Sequence, residues 1–321
     1  MKCGYAASIL LAFLLLPLAA SAQSKTESVT VTGQTPKTRT EIMRGFARSY
    51  VAPSLLTGKL ARWAAPVCPL IIGLQPDEKL AVSERIKKDA KLVGAPVQAR
   101  QASRPNAIVV FAMNPQELMT KIIDDHWNLA QTVLGDIDGP MHARKLSKIS
   151  APIQAWYGTT TRGEGDFPGS QEVAYPDVTG FCGPSTPCFR ASASRLNDGI
   201  QSVFSTVFVV VDLKKVAGRE IGTIADYVAM LALSRTDAFA TCRNMPSITN
   251  LLMQDCAANL MTTAMSDADL AFLRGVYKTY GGDNMNLQIG DIVREMKKSP
   301  AGRDIKAPAQ SGSTAPAPAV K

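Results

Sequence analysis

Histidine, which most often does acid–base or metal chemistry near neutral pH, occurs in this chain only as His126 and His142. His126 directly follows Asp124 and Asp125, and carboxylates beside an imidazole could bind a metal ion or exchange protons. Successive residues of a helix point about 100° apart, however, so these side chains cannot converge on one ion. We therefore predict that His126 and its neighbours lie at a surface or cap a helix, and that His142, in a basic loop, has no chemical role.

A second candidate pair, Asp226 and Tyr227, follows the strongest strand signal of the chain. Phe204–Val211 is apolar and rich in β-branched residues, which predicts a buried central strand. Over Arg219–Arg235, apolar residues recur with the spacing of a helix that has one buried face. Beyond its first residues this helix has no His, Cys or Glu. Asp226 and Tyr227 could therefore form a hydrolytic site only with a histidine from elsewhere, for which His126 is the candidate.

The first 22 residues have the pattern of a secretory signal peptide. Lys2 gives a positive charge, Ile9–Leu18 is apolar, and Ala20-Ser21-Ala22 is a small-residue cleavage site. The apolar stretch is too short to span a bilayer comfortably, and no later run approaches that length. We expect a mature chain that begins at Gln23, has no transmembrane segment, and is periplasmic or secreted.

Charge and composition narrow the classes of partner. The formal net charge is +8, but the basic residues are scattered and do not alternate with aromatic residues. Export would also remove the chain from its usual nucleic-acid partners, so we predict no nucleic-acid binding. The expected partner is an unknown protein or surface of the cell envelope, to which a basic chain could be weakly attracted. No cofactor-binding motif is present.

Five cysteines remain after the predicted cleavage. Cys182 and Cys188 bracket a short, turn-rich loop, and Cys242 and Cys256 bracket a segment just after the central helix. In an oxidising compartment we predict that each pair forms a disulfide, which leaves Cys68 as a buried thiol. The absence of a CxxC spacing argues against a cysteine-based metal site.

Other segments supply the elements around the central strand and helix. They predict a helix capped by Thr40 and ending at Tyr50, an edge strand within Trp63–Gly73, a helix over Pro76–Gly94, a buried strand over Ala107–Met113, a helix from an Asn114 cap to about Gly135, a strand over Ala151–Thr160, a capped helix over Ser266–Tyr280 and a last helix over Leu287–Met296.

This order of elements predicts an α+β fold in which helices pack on a mixed β-sheet. The boundaries are a signal peptide over residues 1–22, a flexible arm over 23–38, a single α+β domain over 39–298 and a disordered Ala/Pro-rich tail over 299–321. Within the arm, Ser28-Val-Thr-Val-Thr-Gly33 alternates like a short strand. It also resembles a TonB box, which implies a partner of an outer-membrane receptor.

The stretch 204–280 resembles the catalytic core of metzincin zinc proteases, which have a strand, a helix bearing HExxHxxGxxH, a methionine-containing turn and a final helix. The turn CRNMPSITN resembles the family's turn, with Thr249 where Met is usual. MSDADLAFLRGVY resembles the family's closing helix. The resemblance implies a metzincin-like strand–helix–turn–helix core.

The same resemblance implies that the zinc site is lost. When the helix is laid on the zinc motif, Ala225, Ala229 and Arg235 occupy the ligand positions, and Asp226 falls on the general-base Glu. Alanine cannot coordinate a metal, and a guanidinium repels one. The whole chain, including RWAAPVCPLIIGL and IADYVAMLAL, also looks like uncharacterised secreted proteobacterial proteins, which implies no activity.

The sequence therefore favours a non-catalytic, pseudo-protease-like binding or scaffold protein of the cell envelope, with no metal and no cofactor. Asp226 would then have a structural role, either buried against a polar partner or capping a nearby turn. The alternative is a hydrolase of unknown class that uses Asp226 and Tyr227 with a histidine. A third possibility is a secreted partner of an outer-membrane receptor, acting through the N-terminal arm.

Overall fold

The computed structural model describes residues 38–54, 57–97, 104–128, 130, 144, 147–163, 199–236 and 241–304. All of these lie within one compact unit, residues 36–321. The predicted signal peptide, arm residues 23–37, His142, Cys182, Cys188 and tail residues 305–321 lie outside the described residues.

A five-stranded mixed sheet forms the centre of the fold. Its longest strand, β5 (Ile200–Asp212), pairs in parallel with β1 (Ala61–Arg62) and β3 (Ala107–Ala112), and antiparallel with β4 (Ile153–Gly163). Strand β2 (Pro69–Ile72) pairs in parallel with β3. Parallel strands covered on both faces read as continuous apolar runs, which is why VFVVV in β5 and AIVVFA in β3 lack polar alternation. The predicted α+β fold with a mixed sheet is confirmed.

Helices cover both faces of this sheet. Their bounds are α1 (Arg39–Tyr50), α2 (Pro76–Val93), α3 (Pro115–Asp125), α4 (Ile221–Leu233), α5 (Asp267–Lys278), α6 (Met285–Lys298) and α7 (Pro300–Asp304). Two short 3-10 helices, Ile248–Leu252 and Ala258–Leu260, lie between α4 and α5. Within the part of the chain described, no helix is long and apolar enough to cross a membrane.

Side chains of β5 alternate between two separate apolar clusters. Val207, Val209 and Val211 face the larger cluster, which includes residues of α1, α2, α4, α5 and α6. Phe208 and Val210 face the smaller cluster, which is built mainly by α3. Because successive strand residues point to opposite faces, α3 and α4 lie on opposite sides of the sheet.

Two expected boundaries and one expected capping bond differ from the structure. Thr38 caps α1 in place of Thr40, because its hydroxyl accepts the Glu41 N–H while the Glu41 carboxylate accepts the Thr38 N–H. Helix α3 ends at Asp125, since His126 leaves the helical conformation, but helical residues resume at Trp127, Asn128 and Ala130, and residues 131–135 lie outside the described residues. Asn114 precedes α3, yet its side chain makes no capping bond there.

The missing capping bond of Asn114 has a local cause, and one further boundary differs. The Asn114 side-chain oxygen accepts a hydrogen bond from Lys214 Nζ at 2.7 Å, so it does not bond to the first turn of α3. At the other end of the domain, Pro300–Asp304 forms α7, so ordered structure continues past the predicted boundary at residue 298.

Helices α5 and α6 cross closely at Gly275. A Cβ added to Gly275 would lie 2.7 Å from the Ile292 Cα, so the helices would have to separate. We expect Gly275→Ala to lower the free energy of unfolding by about 1–3 kcal/mol. The matched control is Gly290→Ala in α6, where an added Cβ meets no atom within 4 Å. That change should raise the unfolding free energy by up to about 1 kcal/mol, because alanine favours helix. Urea unfolding distinguishes the two, and equal effects would contradict the close crossing.

Candidate functional site

Helix α4 is the element that would carry catalytic groups in the resemblance drawn from the sequence. Thr223–Leu233 is buried at every position. A helix that is apolar all round is buried on all sides, and α4 packs against β5, β4 and α2. Ala225 and Ala229, at the positions of zinc ligands in the resemblance, are each no more than 1% exposed. Over this stretch α4 offers no open face to a substrate.

The carboxyl end of α4 is closed by side-chain donors from four parts of the chain. The last carbonyls of a helix have no partner within it. Here Met230 O accepts from Ser234 Oγ at 2.8 Å, and Leu231 O from Tyr157 at 3.1 Å. Ala232 O accepts from the Trp63 indole at 2.8 Å, and Leu233 O from Tyr277 at 3.0 Å. Sequence reasoning missed this arrangement because three of the four donors, Tyr157, Trp63 and Tyr277, are distant in the chain.

We expect Tyr277→Phe to lower the free energy of unfolding by about 1–2 kcal/mol, because it leaves the Leu233 carbonyl without its donor. Tyr227→Phe is the matched control. The Tyr227 ring is 1% exposed, yet its hydroxyl has no hydrogen bond within the described part of the chain. Its removal should change stability by less than about 0.5 kcal/mol. Thermal unfolding measures both, and a larger loss for Tyr227→Phe would contradict this account.

Asp226, the candidate base, is 1% exposed and fully engaged by neighbours. Arg85 of α2 donates two hydrogen bonds to it, from Nε to Oδ1 and from Nη2 to Oδ2 at 2.8 Å. The Met265 N–H, just before α5, also donates to Oδ2, at 2.9 Å. Asp226 therefore joins α4 to α2 and to the segment before α5, as expected for a carboxylate buried against a polar partner.

A second buried carboxylate, Asp89 of α2, lies beside this ion pair. It is 3% exposed, and its Oδ2 is 3.9 Å from Arg85 Nε. No hydrogen-bond donor in the described part of the chain reaches that oxygen. Burial and, next, the charge of Asp226 raise the pKa of Asp89 to about 7, against the lowering influence of Arg85.

His126, the candidate histidine, is not brought to Asp226, and Tyr227 is buried beside Asp226 on α4. Burial raises the pKa of Tyr227, so the phenol stays protonated and cannot act as a base. His126 ends α3, on the far side of the sheet from α4. Beside it, Asp124 accepts a hydrogen bond from Arg144 in an exposed ion pair, as a surface role predicts. Within the described residues, no group of three or more His, Cys, Asp or Glu is placed to hold a metal ion.

The turn after α4 is held by Asn250, which is 0% exposed. Its amide nitrogen donates to the carbonyls of Met245 at 3.1 Å and Leu260 at 2.9 Å, and its oxygen accepts the Arg243 N–H at 2.7 Å. The predicted Cys242–Cys256 disulfide is present. The predicted Cys182–Cys188 disulfide lies outside the described residues, so the pairing of Cys68 stays a prediction too. Cys68 is half-buried and not fully buried as predicted.

Beneath the turn lies a buried cluster of hydroxyl groups around Asp269. The Tyr50 hydroxyl bonds to Ser247, to Thr249 at 2.6 Å and to Asp269 at 3.2 Å. Asp269 also accepts the N–H groups of Ile248 at 2.9 Å and Ser266 at 3.0 Å. Burial raises the pKa of Asp269, and these backbone donors act against the rise.

On the outer side of this turn is a groove of about 550 Å³, a volume typical of ligand sites. Its wall combines apolar side chains with a few polar groups, and Asp267 is the charged residue among them. The groove is lined by Ile42, Asn244, Met245, Pro246, Asn259, Leu260, Ser266, Asp267, Ala268 and Ala301.

No protein family, curated protein or solved structure matches the chain.

Proposed function

We propose that this chain is a non-catalytic binding protein of the cell envelope, exported to the periplasm or beyond. The supporting observation is that neighbouring groups bind the carboxylate of α4. Its buried stretch contains one carboxylate, Asp226, and Arg85 and the Met265 N–H engage both of its oxygens. A general base must reach a substrate or its water, and Asp226 is positioned for packing instead.

The metzincin resemblance of the sequence is compatible with this proposal. The order β5, α4, turn and α5 corresponds to the strand, helix, turn and closing helix of that family. Ala225 and Ala229, at the ligand positions, pack in the core. The hydrolase alternative requires a histidine at Asp226, and His126 is separated from it by the sheet.

The groove beside the turn is the proposed binding surface, and a short segment of a partner protein is the proposed occupant. The partly exposed apolar wall of Ile42, Leu260 and Ala301 would contact aliphatic side chains of such a segment. Asp267 is exposed at the start of α5, where it would pair with a basic residue. The favoured ligand is therefore a peptide that carries Lys or Arg among apolar residues.

An array of immobilised short peptides of varied charge tests this surface. Binding should concentrate on peptides that combine basic and apolar residues, and Asp267→Lys should abolish it. Asp77→Lys is the matched control, because Asp77 is also an exposed acid in the first turn of a helix with a capping box. Equal losses in both variants, or binding that ignores peptide charge, would overturn the proposed surface.

Catalysis is tested separately. The purified chain is dialysed against zinc, bound metal is measured, and peptide cleavage is assayed with the unchanged chain and with Asp226→Asn. We expect no stoichiometric zinc and no cleavage above background in either protein. Stoichiometric zinc together with cleavage that Asp226→Asn abolishes would refute a non-catalytic role.

A further inference from the structure

Two carboxylates and one guanidinium meet at the contact between α2 and α4. Asp89 and Asp226 are 3% and 1% exposed, whereas Arg85 remains 37% exposed at its side chain. If both acids were ionised, the site would bury two negative charges against one positive charge. Ionising both acids in a shared buried site costs free energy because the two negative charges repel each other. One of the acids therefore tends to keep its proton.

The geometry indicates which acid keeps the proton. Asp226 receives both hydrogen bonds of Arg85 and the Met265 N–H, and such donors favour the ionised form. Asp89 lies farther from the guanidinium, at 3.9 Å, and its Oδ2 has no donor within the described residues. Lys88, on the same helix as Asp89, opposes the rise in the pKa of Asp89 only weakly.

We infer that Asp89 and Asp226 share one proton, held by Asp89, and that they form a pH-sensitive joint between α2 and α4. Loss of that proton would place two carboxylates in repulsion across the helix contact, with one arginine between them. This inference does not depend on the binding function proposed above.

The joint also reaches the groove beside the turn. Asp226 Oδ2 holds the Met265 N–H, and the next residue, Ser266, caps α5 and donates through its hydroxyl to Pro246 O. Ser266 and Pro246 both line the groove. Deprotonation of Asp89 would therefore act, through Asp226, on the segment Met265–Ser266, which leads directly into the groove wall.

The direction of the pH effect follows from linkage. The pKa of Asp89 is about 7 in the folded chain, whereas an unfolded Asp titrates near about 3.9. Between these values the folded state binds more protons than the unfolded state. The contribution of Asp89 to stability is therefore fully present below about pH 4 and is lost as the pH rises to about 7.

Asp89→Asn tests the joint, because an uncharged amide of similar shape removes the titration. Between about pH 5 and about pH 8, the unfolding equilibrium constant of the unchanged chain should rise at least about tenfold more than that of the variant. Asp77→Asn, an exposed change on the same helix, should retain the pH dependence of the unchanged chain. Equal pH dependence in the unchanged chain and in Asp89→Asn would overturn the inference.

A spectroscopic measurement keeps the inference testable even if Asp89→Asn fails to fold. Carboxyl ¹³C NMR of the unchanged chain should show one aspartate that titrates near pH 7. Titration of every aspartate below about pH 5 would overturn the inference. So would a calcium-induced rise in stability at about pH 8 that Asp89→Asn abolishes, because the pair would then hold a cation.

Discussion

Replacing Asp269 by alanine should lower the free energy of unfolding by about 3–5 kcal/mol, the largest effect we expect for a single change. Asp269 is 0% exposed and accepts hydrogen bonds from Tyr50, Ile248 and Ser266. Alanine leaves the Ile248 and Ser266 N–H groups without an acceptor, and each stranded group costs about 1–3 kcal/mol, whereas the Tyr50 hydroxyl keeps Ser247 and Thr249. It also removes the capping box at the start of α5.

Asp267→Ala is the matched control for this prediction. Asp267 lies in the same first turn of α5 but is exposed, so its loss should cost less than about 1 kcal/mol. Urea unfolding of both variants gives the comparison. Similar losses would show that Asp269 contributes only through its position near the helix start.

The second large effect concerns Asp226. Asp226→Ala should lower the free energy of unfolding by about 2–3 kcal/mol at about pH 6. This is less than the usual cost of breaking a buried ion pair, because the Arg85 side chain is 37% exposed and can turn toward water. Above about pH 7 the loss should shrink, since Asp89 of the unchanged chain is then ionised and repels Asp226, a repulsion that the variant lacks.

The exposed pair of Asp124 and Arg144 supplies the control for Asp226→Ala. Its side chains are 40% and 58% exposed, respectively, so Asp124→Ala should cost less than about 0.5 kcal/mol. Chemical unfolding near pH 6 and near pH 8 measures both variants. If Asp226→Ala lowered the free energy of unfolding no more than Asp124→Ala does, the buried contact would not stabilise the fold.

Local signals predicted much of the fold. Helix α2 begins at Pro76 and stops at Gly94, which adopts the left-handed conformation that glycine favours. The apolar run of β5 marked the central strand because its faces are covered on both sides. Ser266 and Asp269 form the capping box at the start of α5, as their spacing indicates.

Contacts between distant residues explain what the sequence left unpredicted. Arg85 and Asp226 are 141 residues apart, and the Trp63 indole and Ala232 O are 169 apart. No periodicity in a single segment links such groups, so the sequence favoured a packing role for Asp226 but left a catalytic role open as the alternative. Asn114 shows the same effect in a cap, since Lys214, 100 residues away, takes its side-chain oxygen.

A double-mutant cycle tests most directly whether Asp226 stabilises the fold through its contact with Arg85. Arg85→Gln, Asp226→Asn and the combined variant are compared with the unchanged chain by urea unfolding. The bidentate contact between these side chains predicts a coupling energy of at least about 1.5 kcal/mol. A coupling energy below about 0.3 kcal/mol would show that the two residues act independently. Asp226 would then be available for another role, and the account of α4 as a packing helix would be contradicted.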